Sequence, residues 1–129
     1  MKRTTSIWMI LILFCSQLWA QHTTAFSEAE FKKLQKQNAP ILVDVYAGWC
    51  STCQAQSAIL KKYLKMHPNS KLNILRVDFD NDKQWVRHFR APRQGTLIFY
   101  QGNKRKWFNV GETREKVIFK KLNELTGAS

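Results

Sequence analysis

Two cysteines three positions apart, Cys50 and Cys53 in Trp49-Cys50-Ser51-Thr52-Cys53, are the residues whose type and spacing point to chemistry. A thiolate attacks disulfide sulfur, and a second thiol within reach resolves the mixed disulfide that forms, so such a pair can pass two electrons between partners. A bridge across so short a loop restricts the unfolded chain very little, which makes it a poor structural staple. Half of a zinc site would need two further ligands, and His22, His67 and His88 lack metal-ligand spacing. Redox chemistry is therefore the first reading. Capture of a soft metal by the two thiolates, in a metal-binding module, is the alternative from another class.

The segments around the pair dictate how it is held. Ile41-Leu42-Val43-Asp44-Val45-Tyr46 is a nearly continuous apolar run, the pattern of a strand covered on both faces. Ala47-Gly48-Trp49 turns the chain. From about Cys50 to Met66, Ala55, Ile59, Leu60, Tyr63 and Leu64 recur at helical spacing, and His67-Pro68-Asn69 closes that helix. Cys50 thus falls at a helix start, where free N–H groups and the helix dipole stabilise an anion, and it is expected to be the nucleophile. Cys53, one turn in and less exposed, is the resolving thiol. Asp44 sits in the apolar strand, where desolvation raises a carboxyl pKa into a range useful for proton transfer.

Elsewhere, Ser27-Glu28-Ala29-Glu30 forms a capping box that opens a helix to about Gln37. Leu72 to Phe79 reads as a strand, Lys83 to Phe89 as a short helix and Thr96 to Tyr100 as a third strand. Gln101-Gly102-Asn103 makes a hairpin turn into an edge strand from Lys106 to Val110, and Thr113 opens a last helix with Val117, Ile118, Leu122 and Leu125 on its apolar face. This order predicts an α/β fold: a mixed sheet with parallel strands first, an antiparallel hairpin last, and helices on both faces.

A chain of 129 residues, 44% hydrophobic, is one domain. Its 21 basic residues outnumber 9 acidic ones, but they are scattered, with Lys104, Arg105 and Lys106 the densest cluster, so nucleic acid is not the expected partner. Lys2 and Arg3 precede the apolar run Ile7 to Phe14 and a segment ending Leu18-Trp19-Ala20, the order of a cleavable secretory leader. The run falls short of the ~20 apolar residues of a membrane-spanning helix. A leader at 1–20 would remove Cys15 and leave a domain at 21–129, exported, with the periplasm the expected compartment and an uncleaved anchor or secretion the alternatives.

Val43-Asp44-Val45-Tyr46-Ala47-Gly48-Trp49-Cys50-Ser51-Thr52-Cys53, followed by Thr96-Leu97-Ile98-Phe99-Tyr100-Gln101-Gly102, resembles the thioredoxin family, and the likeness covers nearly all of the chain after the leader. The resemblance implies a thioredoxin-like fold and a monomeric thiol-disulfide oxidoreductase, without a cofactor, that acts on protein disulfides or dithiols. It assigns Cys50, Cys53 and Asp44 to catalysis, with Asp44 moving protons to and from Cys53, and Trp49, Gly95 and Thr96 to substrate binding. Asp44 with Trp49 looks like the reducing branch, and an exported reductase implies a membrane thiol donor; oxidase or isomerase action is the alternative.

Two positions depart from the family pattern. Ser51-Thr52 replaces the Gly-Pro of common thioredoxins, and Gly95 stands where the family has a cis-proline before Thr96. A cis bond costs about 2.5–4 kcal/mol before a non-proline residue against about 0.5–1 before proline, so Gln94–Gly95 is expected to be trans. Without the ring the groove is expected to be looser and more open to a soft metal, and Gly95→Pro to reverse both.

Overall fold

The computed structural model describes residues 23–128; the leader expected at 1–20, Cys15 included, lies outside them. Five strands and four helices follow in chain order: β1 (Thr23–Ala25), α1 (Glu28–Lys36), β2 (Pro40–Tyr46), α2 (Ser51–Met66), β3 (Asn73–Asp78), α3 (Lys83–His88), β4 (Thr96–Gln101), β5 (Lys104–Val110) and α4 (Glu115–Thr126). The sheet order is β1-β3-β2-β4-β5. β1, β3 and β2 are parallel, whereas β4 runs antiparallel to β2 and β5 antiparallel to β4. The expected mixed α/β sheet is the one observed.

β2 lies between β3 and β4 and is buried on both faces, as its apolar run requires. Its side chains alternate: Ile41, Val43 and Val45 enter a core with Phe31 and Leu34 of α1 and Val86 of α3. Leu42 enters the opposite core, built on Ile59, Leu60 and Tyr63 of α2 and Ile118 and Leu122 of α4. Helices therefore cover both faces.

The sequence reading lacks β1, and it differs by more than one residue at the starts of β5 and α4. β1 has three exposed residues with no apolar alternation, so only its pairing with β3 defines it. β5 begins at Lys104, not Lys106, because a two-residue Gly102-Asn103 turn closes the ladder at Gln101↔Lys104, and a bulge beyond Tyr100↔Arg105 absorbs one extra residue. α4 starts at Glu115, and the side chain of Glu112, two residues before Arg114, accepts the Arg114 N–H at 2.9 Å. The Ser27 cap holds, its hydroxyl accepting from the Glu30 N–H at 3.1 Å, but the Glu30 carboxylate turns to Lys33 rather than back to Ser27.

Candidate active site

The turn after β2 delivers Cys50 to the N-cap of α2 with φ −91° and ψ 112°, and Cys50 Sγ accepts from the Cys53 backbone N–H at 3.1 Å. Cys50 and Cys53 are disulfide-bonded, with Cα atoms 5.2 Å apart. After reduction the same N–H and the helix dipole still point at the Cys50 sulfur, so Cys50 is the thiolate this geometry favours. The expected difference in exposure is absent, since Cys50 is 4% and Cys53 3% exposed. What separates the two sulfurs is electrostatic position on the helix.

Alternation along β2 puts Asp44 on the same face as Leu42, the face covered by α2. Asp44 is buried, and Arg76, opposite it across the parallel β2–β3 ladder, donates from Nε to Asp44 Oδ2 at 3.2 Å. Burial pushes the Asp44 carboxyl above its ordinary pKa of 3.8, although the Arg76 charge and hydrogen bond pull the other way. The Arg76 guanidinium also stacks 3.7 Å from the Tyr46 ring centroid. Arg76 and Cys53 line one open cleft of about 410 Å³ with Tyr46, Ser57 and Lys61, which brings solvent to the Cys53 side of the pair. The signal for Arg76 in the sequence was a lone cation between Leu75 and Val77.

Trp49 is 65% exposed, so its ring is no core filler; its Nε1–H donates to Asp80 Oδ2 at 2.8 Å. Asp80 belongs to the β3–α3 loop, which the Asp78 carboxylate stiffens by accepting from the N–H groups of Asp80 and Asn81.

The Gln94–Gly95 bond is trans, as the energetics of non-proline bonds predict. Gly95 has φ +79°, a left-handed conformation that suits glycine, and an added Cβ would lie 3.2 Å from Thr52 Cγ2. The Gly95 loop thus abuts the turn between the cysteines. It is also tied down, which corrects the expectation of a looser groove: Gly95 N–H donates to Val45 O at 2.7 Å, and Gly95 O accepts from Gly111 N–H at 2.9 Å and Gln56 Nε2 at 2.9 Å. Proline fixes φ near −65° and has no N–H, so Gly95→Pro cannot adopt this conformation and would force the loop to rebuild. Thr96 is fully buried, its hydroxyl donating to Arg93 O at 2.6 Å, so it shapes the loop from within. Gly95 meets the turn between Cys50 and Cys53 at the start of α2, with Trp49 exposed beside them and Asp44 buried on the strand face turned to that helix.

On the other side of Gly95, the buried Glu112 carboxylate accepts from Arg114 N–H and Nε at 2.9 Å and from Nη2 at 2.8 Å. Those bonds hold its pKa down from an ordinary 4.5 to about 2. An acid with a lowered native pKa stabilises the fold fully above its unfolded value, and that contribution fades as pH falls towards the native one. Glu112→Gln should therefore unfold more easily at pH 7, by on the order of 1 kcal/mol given the exposure of Arg114. The difference from the unsubstituted protein should shrink between pH 4.5 and about 2, and a pH-independent difference in urea unfolding would refute it.

Among the described residues, no group of three or more His, Cys, Asp or Glu side chains is placed to hold a metal ion. A soft metal would have only the two thiolates of the reduced protein.

The family model described as Thioredoxin matches residues 22–124. A thioredoxin of Alicyclobacillus acidocaldarius is 24% identical over 82 residues, covering 64% of this chain and 77% of the relative. The crystal structure of Trxlp from Edwardsiella tarda superposes with a TM-score of 0.74 at 33% identity, covering 78% of this chain and 97% of that one. Oxidised mitochondrial thioredoxin 3 of Saccharomyces cerevisiae shares the fold at a TM-score of 0.64 and 22% identity, over 75% of this chain and 89% of its own.

Proposed function

The chain belongs to the thioredoxin family and is a thiol-disulfide oxidoreductase, and from that premise we propose that it is an exported, monomeric reductase of protein disulfides. The observation that supports a reductase is Asp44, buried on the strand face turned to α2, together with Trp49 exposed beside Cys50, the pair that resembles the reducing branch of the family. The Cys50 thiolate attacks a substrate disulfide, forming a mixed disulfide and releasing one substrate thiolate. Asp44 takes the proton from Cys53, whose thiolate then attacks the Cys50 sulfur. That step closes the Cys50–Cys53 bridge and expels the second substrate thiolate, so the substrate gains two electrons and the enzyme loses two. Solvent enters through the cleft lined by Cys53 and by Arg76, the partner of Asp44, and is the final acceptor of the proton.

Export is supported by Lys2 and Arg3, the apolar run Ile7 to Phe14, and Ala20 at the expected cut. An exported reductase has to be recharged, which calls for a membrane thiol donor. Among the described residues no helix is long and apolar enough to cross a membrane.

Redox titration of the Cys50–Cys53 pair against glutathione, alongside insulin reduction, tests the direction. We expect a potential nearer the about −270 mV of thioredoxins than the about −120 mV of strong periplasmic oxidants, together with insulin turnover. A value near the oxidising end without turnover would replace this reading with thiol oxidation. Fractionation of the producing cells, followed by mass measurement of the mature chain, tests export; an intact N-terminus in the cytosolic fraction would refute it.

A further inference from the structure

Gln56 is an amide in a place where α2 otherwise presents apolar side chains to the interior. It is fully buried, on the same helix as both cysteines and one turn beyond Thr52. Its Nε2 donates to Gly95 O at 2.9 Å and to Glu112 O at 3.0 Å, using both amide protons. The two carbonyls belong to different loops, one between α3 and β4 and the other between β5 and α4. Gly111 N–H also donates to Gly95 O at 2.9 Å, so the loops are fastened to each other and to the cysteine helix at one point. Gln56 Oε1 is buried without a hydrogen-bond partner. Rotating the amide would satisfy nothing, because it would set Oε1 against two carbonyl oxygens. An amide kept in the core with one orphaned acceptor carries a desolvation cost, so its donors have a use that a hydrophobic side chain could not supply.

We infer that Gln56 is a positioning residue for protein substrates: it clamps the Gly95 and Glu112 loops against the start of α2 and so fixes the wall that abuts Thr52, between the two cysteines. Gly95 needs such a clamp. It has no side chain, its φ is +79°, and nothing in a glycine backbone selects that conformation over its alternatives. Its N–H and both lone pairs of its carbonyl are committed within the protein, to Val45, Gly111 and Gln56. Gly95 therefore acts on a substrate through the shape of the wall, and Gln56 holds that shape. The clamp does not touch either sulfur, so it should govern how a folded or extended polypeptide is seated and leave the cysteine chemistry alone.

This inference rests on protein disulfides being the substrates, and the experiment separates the two. Gln56→Met keeps length and volume while removing both donors. KM and kcat for a protein disulfide, the rate of reduction of the Cys50–Cys53 bridge by dithiothreitol, and the potential of the pair are measured in the unsubstituted protein and the variant. Loss of a seating contact that is equally strong in the bound substrate and in the transition state raises KM and spares kcat, so KM should rise roughly tenfold. The kcat, the dithiothreitol rate and the potential should stay within about twofold. Amide exchange at Gly95 and Gly111 should quicken while the β2 and β3 amides keep their protection.

If Gln56→Met does not fold, Gln56→Asn, one methylene too short to reach both carbonyls, is read in the same way. An unchanged KM in a folded variant overturns the inference and makes Gln56 a filler of the core. A parallel fall in kcat and in the dithiothreitol rate overturns it by placing Gln56 in the cysteine chemistry. An unsubstituted protein that oxidises protein dithiols instead of reducing disulfides overturns the direction proposed above, and the same KM comparison is then made with the dithiol. An unsubstituted protein that turns over neither refutes both.

Discussion

Cys53→Ser should stall the reaction at a covalent complex between Cys50 and its substrate, while Cys50→Ser should form almost none. Both variants should lose multiple turnover by on the order of a thousandfold or more, the scale on which removing a nucleophile acts. Their products differ because the sulfurs have different jobs. Cys50 caps α2 and receives the Cys53 N–H, so it is the sulfur that ionises readily and leads the attack. Without the Cys53 thiol nothing attacks the Cys50 side of the mixed disulfide. Non-reducing electrophoresis of each variant after exposure to oxidised protein, with acid quenching, reads the result. Equal yields of mixed disulfide from the two variants would refute the assignment, and since both sulfurs are about equally buried, accessibility could not rescue it.

Asp44→Asn is expected to slow disulfide reduction and to strengthen the fold at the same time. The amide matches the carboxyl in shape but cannot take the proton of Cys53. General-base groups contribute about 10²–10⁴-fold. Solvent in the neighbouring cleft can take over part of that role, so a loss of about tenfold to a hundredfold is expected near neutral pH.

The stability effect follows from the raised pKa, since a folded state that disfavours the charged form is most stable when the group is protonated. The native protein therefore loses stability as pH climbs from the ordinary 3.8 through the raised native value of Asp44. Asparagine avoids that loss. The gain of Asp44→Asn should be present at pH 7 and vanish below 3.8. Arg76, left behind, remains stacked on Tyr46 with 30% of its side chain exposed, so it is not stranded as a buried charge. Urea unfolding of the two proteins at pH 7 and pH 3 checks the sign; a variant less stable at pH 7 would show that the Arg76 pair outweighs desolvation.

Much of this was legible in the sequence because it is local. The nearly continuous apolar run Ile41–Tyr46 pointed to an internal strand, and the cysteines at its helical exit carried the chemistry and the fold together. Asp44 was legible for the same reason, as a charge within that run. The partners of these residues were not. Arg76 meets Asp44 across 32 positions, Asp80 meets Trp49 across 31, and Gln56 meets Gly95 across 39. Each pairing depends on strand register or on which loops the topology gathers at one end of the sheet, and neither shows in a window of neighbouring residues. Gly95 shows the limit most plainly. Its identity announced that the cis-proline was missing, but a neighbouring helix, not its own segment, determines how the loop is held.

The edge position of β1 bears on how the protein answers to force. The strand is joined to the sheet by three exposed residues paired with Ile74, Leu75 and Arg76 of β3, and it pairs with neither β2 nor β4. Tension applied through the N-terminus, as in a protein held at that end on a surface, loads three rungs of one ladder along the strand axis. Those rungs, and the Phe26 N–H bond to Arg76 O that follows them, should part before strain reaches β2, which leads into Cys50 and carries Asp44. The weakest seam thus lies between the point of attachment and the reactive sulfurs, and pulling should detach β1 while the disulfide and its proton acceptor keep their geometry.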